Sequence, residues 1–222
     1  AFDVKEYIAP APHQVFKVVV EQFDLLLANA IPTAQESVMG FFLGNGMAIV
    51  MAIAFVHSPL LERMYYPIAV LLNTVPIIAI SPILVLIFGL GMTPKVVIAA
   101  VICFFPTLVN MIRGFKSVSN SELELMRILS ANRREVFFKL RVRRSLPYLF
   151  SALRIASTTC VIGAIVGEWV GANLGLGTLI IQATFNYRSG LLYAAILVSS
   201  LLAITLFTIV VLLEKRFLRW QH

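Results

Sequence analysis

The chain has 222 residues, 59% of them apolar and 13% charged, with a formal net charge of +7 and a mean hydropathy of +0.91. Soluble domains run about 45–50% apolar and about 25% charged, so this composition excludes a disordered chain, a disulfide scaffold and an ordinary soluble enzyme. It points to a polytopic membrane protein whose basic residues need a separate explanation. A spanning helix takes about 20 mostly apolar residues, which allows five spans in one integral domain.

Residues 1–35 are expected to form an extracytoplasmic segment, extended and then amphipathic. Ala9-Pro10-Ala11-Pro12 is stiff and extended. Phe16, Val19, Val20, Phe23, Leu26 and Leu27 then recur at helical spacing with Lys17, Glu21 and Asp24 between them, the pattern of a helix lying on a membrane. Residues 36–222 make the transmembrane domain. Its first span is expected at 37–56, where Gly40 and Gly44 are spaced to let two helix backbones approach; the competing reading is that glycine is common in membrane helices.

The second span is expected at 66–90. It contains Pro67, Pro76 and Pro82 with Asn73 and Thr74, and each proline removes a ladder donor that a neighbour must replace. A broken, partly polar helix suits a pathway lining; ordinary kinks within a bundle are the alternative. The third span, 96–112, carries Pro106 and Asn110. A polar stretch, 113–145, precedes the fourth span at 146–170. A glycine-bearing loop, 171–190, holds the short apolar piece Leu179-Ile180-Ile181, and the fifth span follows at 191–213. Cys103 and Cys160 lie in apolar stretches without a Cys or His neighbour at ligand spacing, and His13, His57 and His222 are scattered. No metal site is expected.

Alternation places 57–65, 113–145 and the C-terminus on one side. That side holds Arg63, Arg113, Lys116, Arg127, Arg133, Arg134, Lys139, Arg141, Arg143, Arg144, Lys215, Arg216 and Arg219, against Lys5, Lys17, Lys95 and Arg188 on the other. The bias predicts a cytoplasmic polar stretch and a cytoplasmic C-terminus. Arg154, about two turns into the fourth span, can snorkel toward the same side.

Within 113–145, Ser121-Glu122-Leu123-Glu124 reads as a capping box, followed by Leu123, Met126, Ile128 and Leu129 on a helix. Asn132-Arg133-Arg134-Glu135 is a second helix start with Asn132 as its cap. Two short helices therefore meet at Ser130-Ala131-Asn132, each with an apolar and a basic face. Such a unit presents itself to a partner rather than merely returning the chain.

These residues resemble the EAA loop of type I ABC importer permeases. The family pattern is E-A-A-x-x-x-G, then a second short helix and a proline-bearing start of the next span. Glu124 stands at the motif glutamate, Leu125 and Met126 replace the alanines, and Ser130 replaces the glycine. Ser145-Leu146-Pro147-Tyr148-Leu149-Phe150 is similar to the A-L-P-Y-x-F start of the branch that carries nitrate, sulfonate, taurine and thiamin-precursor pyrimidines. Asn73-Thr74-Val75-Pro76, Phe88-Gly89-Leu90-Gly91, Phe104-Phe105-Pro106, Val166-Gly167-Glu168 and Leu213-Glu214-Lys215-Arg216 extend the resemblance over nearly the whole chain from about residue 10.

The resemblance implies an all-α polytopic bundle of five spans, with a sixth ahead of residue 1, in a prokaryotic inner membrane. It implies that Glu124, Ser130, Ala131, Asn132, Arg133 and Arg134 couple to a cytoplasmic ABC ATPase dimer that binds ATP and magnesium. It also implies a second permease subunit, identical or closely related, and an extracytoplasmic solute-binding protein. No nucleic-acid partner is expected. The chain has no G-x-x-x-x-G-K-[ST] phosphate loop, so it is expected to be a transport subunit without a cofactor or catalytic site of its own.

Glu168 is an acid near the end of the fourth span, and intramembrane charges default to function. Its readings are a pathway or outer-gate residue, a helix-end glutamate bonded to the glycine-rich loop, or a contact to the binding protein. Asn73, Thr74, Pro76 and Asn110 are the other expected pathway residues. A secondary transporter is the alternative; it wants internal repeats and buried charge pairs, and the sequence shows no repeat. An intramembrane enzyme wants clustered catalytic residues, which the scattered His and Cys do not supply.

Overall fold

The computed structural model describes residues 10–218; Lys5, Ala9, Arg219 and His222 lie outside the described residues. Among the described residues every regular element is a helix. Ala11 is extended (φ −63°, ψ 147°) and Pro12 opens the ten-residue α1, Pro12–Glu21, where a missing N–H and a fixed φ do no harm. The amphipathic segment does not continue as one surface helix. It breaks at Gln22 (φ −115°, ψ 29°), and Phe23 starts α2, Phe23–His57, of 35 residues. The expected boundary at residue 35 thus falls inside a continuous helix. At 1.5 Å per residue α2 is about 50 Å long, longer than the ~30 Å hydrocarbon core.

Ser58 caps the next helix through Leu61 N–H, and α3 (Pro59–Thr74) begins at once, so 57–65 is not the loop expected from the sequence. The second span is broken as its prolines require. Val75 is extended (φ −74°, ψ 127°), because a residue before proline is pushed out of the helical region. Helix α4, Ile77–Phe88, leaves at 101° to α3. Pro67 and Pro82 stay within their helices.

Helix α5 (Met92–Lys116) is the centre of the bundle. After α6 (Asn120–Ile128), the three-residue α7 (Arg133–Glu135) runs through a π-helical stretch, Val136–Arg141, into α8 (Val142–Glu168). Together they form one apolar rod, Arg133–Glu168, of 36 residues. The expected second short helix and the fourth span are therefore one element, with Pro147 inside it. Helix α9 (Leu176–Phe185) is the apolar piece of the glycine-bearing loop, and α10 (Ser189–Phe217) closes the bundle. Among the described residues four helices are long and apolar enough to cross a membrane, and the bent α3–α4 pair makes up to five.

Small residues bring α2, α5 and α8 together. A Cβ on Gly40 would stand 3.0 Å from the Val96 carbonyl oxygen, and one on Gly44 would stand 2.9 Å from the Ala100 Cα. On the other side of α5, a Cβ on Gly163 would stand 2.7 Å from the Ala99 Cα and one on Gly167 3.0 Å from the Lys95 Cα. Two small-xxx-small pairs thus clasp α5 between Lys95 and Ala100, and the expected close approach at Gly40 and Gly44 is what the structure shows. Midway, Thr107 donates a 2.5 Å hydrogen bond to Asn45 Oδ1 across α2 and α5. At one end of the bundle Phe55, Phe115 and Phe137 form an aromatic and aliphatic core. At the other end Leu26, Leu179, Leu191 and Ala194 join α1, α2, α9 and α10. Cys103 and Cys160 are buried free thiols in the packing between α5 and α8.

Candidate functional site

The two ends of the bundle carry different chemistry. The end formed by the starts of α2 and α5 and the finish of α8 buries three charges: Glu36 at 1% exposure, Lys95 at 8% and Glu168 at 1%. Lys95 Nζ lies 3.3 Å from Glu36 Oε1, while Glu36 Oε2 has no hydrogen-bond partner. Glu168 is held on both oxygens: the Thr33 hydroxyl donates to Oε1 at 2.5 Å, and the Gly177 N–H donates to Oε2 at 2.6 Å. Thr33 accepts from the Leu176 N–H at 2.9 Å, and Asn29 Oδ1 accepts from the Gly175 N–H at 2.9 Å. The first turn of α9 therefore has its orphan amides satisfied by side chains of α2 and α8, and the carboxylate sits at the positive end of the α9 dipole.

The backbone is shaped for this contact. Gly175 has φ +135°, and a Cβ there would occupy the Glu168 carboxyl group. Of the readings open for Glu168, the geometry is that of a helix-end glutamate bonded to the glycine-rich loop. Glu36, Lys95, Asn29 and Thr33 are not among the expected site residues: Asn29 and Thr33 fall in the N-terminal amphipathic segment, and Glu36 and Lys95 each stand just ahead of an expected span. The signal was present: Asn29, Thr33, Glu36, Ser37, Gly40, Gly44, Ala48 and Ala52 follow helical spacing on α2, and all are buried.

The opposite end carries the capped turn. Its first box lies two residues earlier than expected: Ser119, not Ser121, caps α6, with Glu122 rather than Glu124 as the reciprocal partner. Both stretches read S-x-x-E. Glu122 also accepts from Arg144 of α8, which fixes the choice. The Ser119 backbone N–H, then the Arg144 guanidinium, hold the Glu122 carboxyl below the usual carboxylate range. Glu124 is left exposed. The second box is as expected, with Asn132 Oδ1 accepting from the Glu135 N–H at 2.9 Å and Glu135 accepting from the Asn132 N–H at 3.0 Å. Between the boxes Ser130 has φ +52°. Its N–H donates to the Arg127 carbonyl and the Ala131 N–H to the Met126 carbonyl, both at 2.9 Å, the paired bonds of a Schellman termination.

Residues 44–219 match the family described as binding-protein-dependent transport system inner membrane components. The chain belongs to that family. It is the permease subunit of an ABC importer. Among similar proteins, the formylaminopyrimidine transport permease protein ThiX of Halalkalibacterium halodurans is 33% identical over 97% of this chain and 86% of that one. The riboflavin transport system permease protein RibX of Chloroflexus aurantiacus is 31% identical over 89% and 74%. The taurine transport system permease protein TauC of Escherichia coli is 27% identical over 78% and 63%. In fold the permease matches a chain of the inward-facing MetNI methionine ABC transporter, with a TM-score of 0.74 at 20% identity over 90% of this chain and 97% of that one. The secondary-transporter alternative has no support in these similarities.

In the permease, Ser130 takes the place where the family motif has glycine, and the left-handed backbone there is the reason a glycine suits it. The other expected site residues do not gather around Glu168. Asn73 lines an apolar cavity of about 450 Å³ between α2, α3 and α5, with Gly44, Tyr65 and Phe104. Thr74 donates back to the Leu71 carbonyl at 2.7 Å, and Asn110 back to the Pro106 carbonyl at 2.8 Å. Pro76 is exposed at the α3–α4 break. Arg154, read as a lone snorkelling cation, lies 3.4 Å from Glu214 of α10.

Proposed function

We propose that this permease forms one half of a translocation pathway for a small organic solute handed over by an extracytoplasmic binding protein. Alternating access is driven by a separate cytoplasmic ATPase dimer that holds the ATP and magnesium, and a second permease subunit supplies the other half. The observation that carries this reading is the turn between α6 and α7. It is capped on both sides, yet it leaves Leu125, Ile128 and Leu129 exposed at 56%, 79% and 66%, with Arg133 and Arg134 exposed beside them. The turn continues directly into the rod Arg133–Glu168, so a displacement at Asn132 is delivered along the length of the bundle as a rigid-body motion.

Glu124, Ser130, Ala131, Asn132, Arg133 and Arg134 are the contact we assign to the ATPase. The basic residues on this side argue for a cytoplasmic turn and C-terminus. Asn73, Thr74, Pro76 and Asn110 are assigned to the pathway, through the broken α3–α4 pair and the face of α5. Glu168 is assigned as a lock on α9 at the outer end, where a binding protein docks. Relatives named for formylaminopyrimidine, riboflavin and taurine favour a polar organic solute of similar size.

Arg133→Glu with Arg134→Glu tests the docking. Neither residue is a cap, so the chain should insert and fold normally but fail to retain the ATPase on purification, with transport lost. Full transport by the double variant would sink the assignment.

A further inference from the structure

A cleft of about 570 Å³ lies beside α8 where the basic extension meets the apolar span. Lys139, Arg143 and Arg144 line it together with Ser117 at the end of α5, and Tyr148 and Ser151 line it further along α8. We propose that this cleft seats the phosphate of an anionic membrane lipid. Three cations face it, and no carboxylate is among its lining residues. Lys139 and Arg144 are ion-paired with Glu135 and Glu122, whereas Arg143 has no acidic partner among the described residues.

The shape follows the helix. Arg143, Pro147 and Ser151 are spaced by four residues, so they share one face of α8 and span about 12 Å along its axis. The cleft therefore passes from cations to an aromatic hydroxyl and then into the apolar span, with Leu140 and Pro147 as apolar walls. This gradient fits a phosphodiester headgroup above an acyl chain, with Tyr148 at the level where amphipathic rings sit in a bilayer. Basic pockets at the membrane boundary recognise anionic headgroups by this chemistry.

The test uses the assembled importer with the full chain, in neutral detergent. Native mass spectrometry should show phosphatidylglycerol binding in preference to phosphatidylcholine of the same acyl chains. Arg143→Gln and Lys139→Gln should each weaken phosphatidylglycerol about fivefold, the effect of roughly one basic contact, and leave phosphatidylcholine unchanged. Arg143→Lys should keep most of the affinity, which separates a lost charge from a lost fold. Equal binding of the two lipids, or unchanged binding in the double Gln variant, overturns the proposal. Displacement of the lipid by millimolar inorganic phosphate would give the cleft to a free anion and also overturns it. So would loss of the ATPase from the Arg143→Gln complex with lipid binding intact. Arg133 and Arg134 do not line the cleft, so the docking reading and this one fail independently.

Discussion

At Gly175 the place a Cβ would take is filled by the Glu168 carboxyl group, and at Ser130 the reverse holds, with a side chain tolerated at φ +52°. The difference is surroundings: Gly175 is packed against a buried carboxylate, while Ser130 faces solvent. A left-handed backbone costs a non-glycine residue about 1 kcal/mol or more. Ser130→Gly should therefore tighten the turn, with amide exchange at Ser130 and Ala131 slowed about fivefold. Unchanged or faster exchange would show that the serine is not strained.

Elements in this permease are set by what touches them. Gly44 lies against the Ala100 backbone, whereas a Cβ on Gly46, two residues on, would meet nothing within 4 Å. Gly44→Leu should overpack the α2–α5 contact at a cost of about 1–3 kcal/mol or more. Gly46→Ala should be neutral or slightly stabilising, since alanine favours a helix over glycine by about 1 kcal/mol. Thermal melting in detergent separates the two, and equal effects would refute the packing. Helix α6 depends on pH through Glu122. Its carboxyl is depressed, first by the Ser119 N–H and then by Arg144, so it stabilises α6 above the ordinary carboxylate range. That contribution is lost as pH falls through the lowered folded value. Amide protection across 119–128, taken relative to the intrinsic exchange rate at each pH, should fall on acidification below the usual glutamate range and stay flat from neutral pH upward. Glu122→Gln should remove most of that dependence.

Across the whole molecule, the ionic cluster ties α2, α5, α8 and α9 at one end, and the Phe55–Phe115–Phe137 core ties α2, α5 and the rod at the other. Lys95→Met should cost about 3–5 kcal/mol, because it strands a buried carboxylate. Adding Glu36→Leu should recover much of that loss, because the charges then leave together. Melting temperatures for the two single variants and the pair form the cycle. Strict additivity would mean that Lys95 and Glu36 do not depend on each other.

The sequence by itself determined the membrane class, the apolar helices, the basic side, the Asn132 cap and the motif that places the chain among importer permeases. These follow from composition, period and local hydrogen bonding, which act within a few residues. Tertiary structure alone decided which of three prolines breaks the second span and which of two S-x-x-E boxes is used. It also decided that Leu146-Pro147 does not separate a short helix from a span. Arg144 selects Glu122 from the far end of the polar segment, a choice no local pattern contains. Glu36 and Lys95 look solvated beside their neighbours in the chain, and become a buried pair only because α2 and α5 approach through glycine and alanine. Glu168 likewise gains its role from a loop nine residues on and a helix 135 residues back. A buried charge is defined by what surrounds it in space, and the local sequence does not supply those surroundings.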